Sequence, residues 1–395
     1  MKLSDFYLAE DFYLKLIEFP AVYNIKTDAL YCLDERAFNF LSKLAIRDLS
    51  SLNSFDKEKD EKIRDLLEVA ISEGIVTKEP TARLLPKIRQ SPIPSLRYLE
   101  LQITKRCNLR CKHCFVGECL NVDLSVEETK KILREFEDMQ GLRVLITGGE
   151  PLLHPHFDRI NGFLKELAIR KVLFTNGLLL TDKWLKKLHV HEIQISLDGL
   201  KDGHESLRGK GTFEKTLSAI RRSIDFGFEV SVATVIHKNN IDEFNKIEEL
   251  LKGLSIRDWT VDALTITGNL ELNTDLWVHP SVAGKIMRRY GFSKEEHPRA
   301  EGYACGAHLL SVSADGKAAY CSFFESSPLG NIKEGLEKIW ARKKHFLLQN
   351  LECINLNCPY IQECIGGCRY RAQKISGKEG SPDLFKCYQF ERLQS

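Results

Sequence analysis

The sequence predicts an α/β protein. Its centre reads as a parallel sheet built from βα units, open or closed into a barrel, with a small winged-helix-like module before it and a cysteine-rich block after it. Three observations predict this. Strand-like and helix-like stretches alternate over about 170 residues from residue 96 onward, and such alternation argues for parallel strands joined by crossover helices. Only Cys32 of the 12 cysteines precedes residue 107. Seven cysteines crowd into residues 300–395, where regular periodicity is weak.

Composition sets the outer limits. A chain of 395 residues suggests about two or three domains. With 43% hydrophobic and 28% charged residues, bulk disorder is excluded. Lys plus Arg is 57 against 55 for Asp plus Glu, a net charge of +2, so neither nucleic acid nor an acidic membrane surface is expected as a partner. No apolar run reaches the roughly 18 residues of a membrane span. The N-terminal segment MKLSDFYLAEDFYL carries acids where a signal peptide has a basic start and an apolar block. A cytoplasmic protein is expected, and clustered cysteines there are more often metal ligands than disulfides.

The elements follow in order. YNIKTDALYCLD reads as two short strands around a Lys26-Thr27-Asp28 turn. Glu35 to Leu44 and the segment EKIRDLLEVAISEGIV repeat apolar residues at helical spacing, with Gly74 at a helix stop and Ile75-Val76 opening a strand. Three prolines between Thr81 and Pro94 mark an extended linker. Next come strands LRYLELQIT, VLIT, KVLFTN, EIQISL, EVSVATVI and the weaker WTVDALTI. Between them lie helices SVEETKKILREFEDM, FDRINGFLKELAI, TFEKTLSAIRRSIDFG and IDEFNKIEELLKGL. Ligands in such sheets sit beyond the C-terminal strand ends, so the residues after each strand are the candidates for chemistry.

The first strand runs into Cys107, Cys111 and Cys114, spaced C-x3-C-x2-C. Three thiolates on one loop can hold three irons of a cubane and leave the fourth iron for a substrate or cofactor. Zinc is the alternative, but structural zinc favours four ligands in paired C-x2–4-C spacing. His113 could be a fourth ligand, but it neighbours Cys114 and ligation by both would strain the loop. Spacing and strand context favour the cluster.

This loop resembles that of the radical S-adenosylmethionine (SAM) superfamily, where it follows the first strand of a partial (β/α)6 barrel. The resemblance implies that the unligated iron binds the amino and carboxylate groups of SAM. SAM is then cleaved to methionine and a 5′-deoxyadenosyl radical that takes hydrogen from a substrate. It places His113 near the adenine. Gly148-Gly149-Glu150-Pro151, after VLIT, resembles the family segment that receives the SAM amino group. Adjacent glycines allow close backbone approach, and a carboxylate pairs with an ammonium. Asn176 ends the next strand, Ser196 stands at a family ribose-contact position, and Arg208 resembles an arginine that meets the SAM carboxylate. The resemblance covers about residues 96–265.

The C-terminal cysteines resemble the SPASM extension of this superfamily: Cys305-x10-Gly316-x4-Cys321, then Cys353, Cys358, Cys364, Cys368 and Cys387. Four residues separate Cys353 from Cys358 where the pattern has two, a small loop insertion. The resemblance implies one auxiliary cluster on Cys353, Cys358, Cys364 and Cys387. A second falls to Cys305, Cys321 and Cys368, with one iron open, which makes three 4Fe–4S clusters in all. Cys32 and Cys119 fit no pattern, and a small buried hydrophobe is the default for each.

Residues 1–90 resemble the PqqD-like peptide-recognition domain fused to maturases of ribosomally made peptides, where a leader peptide adds a strand to the sheet. The expected layout is a recognition domain at 1–90, a radical SAM partial barrel at 91–300 and a SPASM domain at 301–395. The expected activity is an intramolecular cross-link in a precursor peptide, a thioether above all, with flavodoxin or ferredoxin as electron donor. Three alternatives stand beside it. Sulfatase-type maturation places an Asp where this chain has Ser322; a small molecule such as a tetrapyrrole could be the substrate; a zinc-bearing peptide-binding scaffold would be no enzyme.

Overall fold

The computed structural model describes residues 3–48, 61–81, 86–292 and 297–393. In the N-terminal module, strands β1 (Tyr7–Leu8), β2 (Phe12–Leu16), β3 (Pro20–Asn24), β4 (Leu30–Cys32) and β5 (Val76–Thr77) form two small sheets. One has the antiparallel order β2-β3-β4, and the other pairs β1 with β5. The predicted turn joins β3 to β4, with Asp28 at φ 70°, a left-handed conformation that Asp tolerates. Helix Glu35–Ala45 starts where the Asp34 side chain accepts the Ala37 N–H at 2.7 Å. Its buried Phe40, Leu41 and Leu44 pack with Leu14 and Val22. Helix Glu61–Ser72 stops before Gly74, which takes φ 68°. Part of the predicted linker, residues 82–85, lies outside the described residues.

The central sheet contains β6 (Tyr98–Gln102), β7 (Arg143–Thr147), β8 (Arg170–Thr175), β9 (Glu192–Ser196), β10 (Glu229–Ile236) and β11 (Asp258–Ala263). All five successive pairings among them are parallel. Leu99, Leu101, Val144, Ile146, Leu173, Ile193, Ile195 and Val232 turn into one hydrophobic core, with residues such as Ile132, Phe136, Ile160, Leu217, Ile220 and Ile247 from the crossover helices. Residues between them, Glu100 for one, face the other way by strand alternation. Among the described residues β6 and β11 do not pair, so the barrel is partial. The helix predicted over 157–169 is shorter, Phe157–Leu164; its last turn is given up so that the chain can open β8 at Arg170, opposite Arg143.

The cysteine-rich block is more regular than its sequence suggests. Its strands β12 (Leu309–Val312), β13 (Lys317–Ala319) and β14 (Gly330–Asn331) extend the sheet beyond β6. β12 lies parallel to β6, and β13 and β14 follow antiparallel.

The β3–β4 turn docks against the N-terminal ends of the barrel strands. Fully buried Arg170 donates to the carbonyls of Ile25, at 3.2 Å, and Lys26, while pairing with Glu192 at 2.8 Å and with Glu229. Arg257 donates to the Thr27 carbonyl at 3.0 Å, and Arg143 pairs with Asp28. Glu18 pairs with Arg97 at 2.6 Å. The module therefore sits at the base of the barrel, opposite the loops that follow the strands.

Candidate functional site

The loop after β6 is tied at its root. Thr104 donates to Asp123 at 2.6 Å, and Arg106 pairs with the same carboxylate at 2.9 Å. A backbone donor meets one of the thiols, the Leu109 N–H pointing at Cys107 Sγ from 3.4 Å, and the Gly117 N–H donates to the Cys114 carbonyl at 3.2 Å. Burial pushes all three thiols up, Cys107 to about 12, so a metal would have to deprotonate them on binding. Arg208 acts the other way on Cys111 and Cys114.

Gly148 and Gly149 permit a close approach, and in this structure the approach is to the cluster loop itself. A Cβ on Gly148 would lie 2.6 Å from the Thr104 carbonyl oxygen, and one on Gly149 2.4 Å from that of Arg106. Those carbonyls accept the N–H groups of Gly149 at 2.8 Å and Glu150 at 2.7 Å. The loop is also clamped from the far edge of the barrel, by residues that sequence reasoning missed. Asn269 donates twice, from its backbone to the Cys114 carbonyl at 2.9 Å and from Nδ2 to that of Cys111 at 3.0 Å, and its own carbonyl accepts from Asn273 Nδ2 at 2.8 Å. Gly268 lies against the Cys114 carbonyl, where a Cβ would stand 2.4 Å away. No motif surrounds this pair; only its position after the last barrel strand could have drawn notice.

The other predicted residues gather at neighbouring strand ends. Glu150 is fully buried, and its carboxylate accepts from Thr175 Oγ1 at 2.8 Å and from the Asn176 N–H at 3.0 Å, locking the end of β7 to that of β8. Burial raises its pKa to about 7 against those hydrogen bonds. Asn176 Nδ2 reaches into the cluster loop and donates to Asn108 at 2.8 Å. Ser196 is half-buried at the end of β9, paired with Ala233 of β10. Arg208 forms an ion pair with Asp198, which is 1% exposed and accepts the Val235 N–H at 3.0 Å. Burial opposes the Asp198 charge, but Arg208 and the neighbouring histidines hold its carboxyl well below the usual range. Sequence reasoning passed over Asp198 as a turn residue. His113 Nδ1 is buried with no hydrogen-bond partner in the protein, and burial lowers this imidazole to about 3.

The C-terminal thiols fall into two groups. Cys353, Cys358, Cys364 and Cys387 line one small cavity with Gly366, Asp383 and Lys386; Cys353 is there despite the longer spacing. Cys321 acts electrostatically on and with Cys305 and Cys368. Beside this second group lie Lys343, lowered to about 7 by burial, and Glu100 of β6, whose carboxylate accepts Ser322 N–H at 2.8 Å and Oγ–H at 2.7 Å. Between it and the cluster loop is a cavity of about 280 Å³ walled by Phe115, Phe323, Tyr370, Thr267 and Ser322. Cys32 is exposed rather than buried, and Cys119 is half-buried beside the cluster loop.

The residues fit an iron–sulfur cluster with SAM. Three thiols on one loop are the donor set of a cubane with an open iron, and the partnerless His113 nitrogen and the half-buried Arg208 stand next to them. Among the described residues no three His, Cys, Asp or Glu side chains converge tightly enough to share a single ion; a cubane takes one thiolate per iron and needs no such convergence. Among the same residues no helix is long and apolar enough to cross a membrane.

A parallel, partly closed sheet with this loop at its first strand defines a class of enzyme. Residues 101–251 match the radical SAM superfamily model, and the chain belongs to that superfamily, whose fold binds SAM and a 4Fe–4S cluster. An AdoMet-dependent heme synthase of Methanosarcina barkeri is 34% identical over 329 residues, covering 71% of this chain and 93% of the relative. The subtilosin biosynthesis protein AlbA of Bacillus subtilis is 26% identical over 311 residues, 70% of this chain and 67% of AlbA. The crystal structure of Streptococcus suis SuiB bound to S-adenosylmethionine shares the fold at a TM-score of 0.68 and 19% identity, covering 95% of this chain and 99% of SuiB.

Proposed function

We propose that this enzyme modifies a ribosomally made peptide, forming an intramolecular cross-link, with a thioether as the favoured product. The observation that carries the reading is the N-terminal module with its open strand. Among the described residues β4 pairs only with β3, which leaves one edge for an added peptide strand beside helix Glu61–Ser72. The likeness to SuiB, also solved with its precursor peptide SuiA, extends over 96% of this chain at a TM-score of 0.69, and AlbA matches 70% of it in sequence. In this reading residues 1–90 hold the leader, 91–300 carry the barrel and 301–395 the auxiliary clusters.

Cys107, Cys111 and Cys114 hold the SAM cluster. When bound, cluster and SAM supply the 5′-deoxyadenosyl radical that abstracts hydrogen. Arg208, kept in place by Asp198, takes the SAM carboxylate. Gly148, Gly149 and Glu150 form the amino-group side, Ser196 and Asn176 the ribose side, and His113 packs by the adenine. Cys353, Cys358, Cys364 and Cys387 hold one auxiliary cluster, and Cys305, Cys321 and Cys368 the other. The aromatic cavity between Phe115 and Tyr370 receives the residue to be modified. A small reduced carrier such as flavodoxin or ferredoxin supplies electrons, and the setting is the cytoplasm.

A tetrapyrrole substrate is the second reading, favoured by the 34% identity to the heme synthase. Anaerobic incubation with SAM, reductant and candidate precursor peptides encoded beside this gene separates the two. The proposal expects a peptide lighter by two hydrogens per cross-link and an added iron tetrapyrrole unchanged; the reverse result replaces it. Iron content tests the clusters: about twelve per chain, falling to about eight in a Cys107→Ala/Cys111→Ala/Cys114→Ala variant, at four per cubane. About four falling to none would remove the auxiliary clusters.

A further inference from the structure

Another cavity, of about 340 Å³, opens at the base of the barrel. Its wall includes Tyr98, Arg143 and Leu309, which stand at the starts of β6, β7 and β12, so it lies at the strand ends opposite the cluster loop. The N-terminal module closes its back. Asp28, two residues before β4, accepts His297 Nε2 on its carbonyl at 2.7 Å and pairs with Arg143 through its carboxylate.

Three guanidiniums line this cavity, those of Arg97, Arg143 and Arg299. Arg97 is fully engaged: Nε donates to Ser95 at 2.9 Å, and the other two nitrogens reach the Pro298 carbonyl and Glu18. Arg143 is not. Among the described residues only its Nη2 is hydrogen-bonded, to Asp28, and Nε is buried with no partner. Donors left unmet on a part-buried cation are unfavourable until a ligand or water reaches them. Arg299 stands exposed at the rim, where Nη1 donates to the Glu363 carbonyl at 3.3 Å.

The two histidines of the wall add no charge. His297 donates to the Asp28 carbonyl and accepts the Tyr98 hydroxyl at 2.8 Å; His308 donates to the Ser95 carbonyl at 2.9 Å and accepts the Ala300 N–H at 3.1 Å. Against the three guanidiniums stand the carboxylates of Glu18 and Asp28. One positive charge is left over, which matches a monoanion better than a phosphate dianion. The rest of the wall is apolar or aromatic, with Tyr303, Ala307 and Ile365 facing Tyr98, over whose ring Arg143 lies at 5.5 Å. The volume falls within the range of small-ligand sites.

We infer that this cavity binds a carboxylate carried on an apolar body, the anion meeting Arg143 and Arg299 and the body lying against Tyr98 and Tyr303. Two sources offer that chemistry: an acidic side chain next to an apolar one in a peptide, and a free alkyl carboxylate. A strand added to β4 would leave its Leu30 end two residues from Asp28 and therefore beside the Arg143 wall, which favours the peptide. The site itself stands whether or not β4 takes a peptide. It lies at the far end of the barrel from the SAM loop, so its ligand is gripped there and does not react.

The test uses anaerobically reconstituted full-length enzyme and isothermal titration with two pairs of probes. N-acetyl-glutamyl-leucinamide beside its glutaminyl counterpart represents the peptide, and hexanoate beside hexanamide the free carboxylate. In at least one pair the acid is expected to bind in the millimolar range or tighter, and its amide at least about tenfold more weakly. Arg299→Gln should weaken the acid by about the same factor, and Ala307→Trp, which fills the cavity without changing its charge, should abolish binding. Iron content and the melting temperature without ligand check that both variants are folded. Binding of the dipeptide alone assigns the site to a peptide, and of hexanoate alone to a free small molecule; either supports the inference. Acids that bind no better than their amides in wild type, or binding that survives both substitutions, would overturn it. Loss of precursor-peptide binding at β4 is read separately, by anisotropy, and leaves the dipeptide and hexanoate results standing.

Discussion

Gly149 is where the cluster loop and the end of β7 have least room to separate. A Cβ there would stand 2.4 Å from the Arg106 carbonyl oxygen, 2.8 Å from its carbon and 2.9 Å from Cys107 Cβ. Ordinary contact begins at 3.4 Å, so the overlap is about an ångström. Neither side yields cheaply: the Arg106 carbonyl already accepts the Glu150 N–H at 2.7 Å, and Arg106 is anchored to Asp123. Gly149→Ala must therefore displace the backbone that carries Cys107. Overpacking of this kind costs about 1–3 kcal/mol, and a displacement of about 1 Å at a reacting centre costs roughly a hundredfold in rate. The assay is 5′-deoxyadenosine formation with SAM and dithionite, alongside iron content and melting temperature. A rate loss of about a hundredfold is expected, with a melting point lower by several degrees at roughly 2–4 °C per kcal/mol. Gly162→Ala is the matched control, since its Cβ meets nothing within 4 Å in helix Phe157–Leu164; it should stabilise by about 0.5–1 kcal/mol and leave the rate alone. A Gly149→Ala enzyme with wild-type rate and full iron would refute the reasoning.

Asp198→Asn leaves Arg208, whose side chain is 12% exposed, without its counter-charge. It should cost about 3–5 kcal/mol by chemical denaturation and weaken SAM binding. Because the folded pKa of Asp198 is depressed, its stabilisation is present above about pH 4 and fades as pH falls further; the Asn variant should lack that part of the acid loss. Lys15 is 1% exposed, donates to the carbonyls of Gly141 and Ala168, and is lowered to about 8 by burial. Between about pH 8 and 10.4 the unfolded chain binds the extra proton, so stability rises with pH by roughly 3 kcal/mol; Lys15→Met should abolish the rise in denaturation midpoint. On β4 the ladder to β3 has Tyr31 opposite Val22 and the Leu33 N–H on the Pro20 carbonyl. The Cys32 N–H therefore points to the open edge, and Cys32→Pro should abolish precursor-peptide binding, read by fluorescence anisotropy, with iron and melting temperature unchanged.

The barrel strands were legible because each is a short run of Val, Ile and Leu bounded by turn residues, and the amphipathic helices between them bury one face each. The cluster loop was legible because its three cysteines are close in sequence. What escaped was long-range. Nothing in SVSADGKAAY says that Leu309–Val312 will lie parallel to Tyr98–Gln102, some two hundred residues away. Asn269 holds the Cys111 and Cys114 carbonyls through hydrogen bonds that any loop Asn could make. Asp198 reads as half of an Asp-Gly turn until Arg208 is seen against it. Cys119 reads as a spare small residue because only a chain reversal brings it back beside Leu109 of the cluster loop.

The docking of the N-terminal module changes how peptide recognition can be examined. Removing residues 1–90 would take away the carbonyls of Ile25, Lys26 and Thr27 that accept from Arg170 and Arg257, as well as Asp28 from Arg143 and Glu18 from Arg97. A truncated enzyme would lose activity through its uncovered base, whatever the module binds, so a change confined to the β4 edge is the cleaner probe. The same geometry constrains the peptide. The module lies at the N-terminal strand ends and the thiols at the C-terminal ends, separated by strands such as β8 of six residues, about 20 Å at roughly 3.3 Å per residue. An extended peptide covers at most about 3.3–3.6 Å per residue, so a leader held on β4 needs at least about six residues before the first residue that can enter the mouth. Precursors shortened below that spacing should still bind and should no longer be modified.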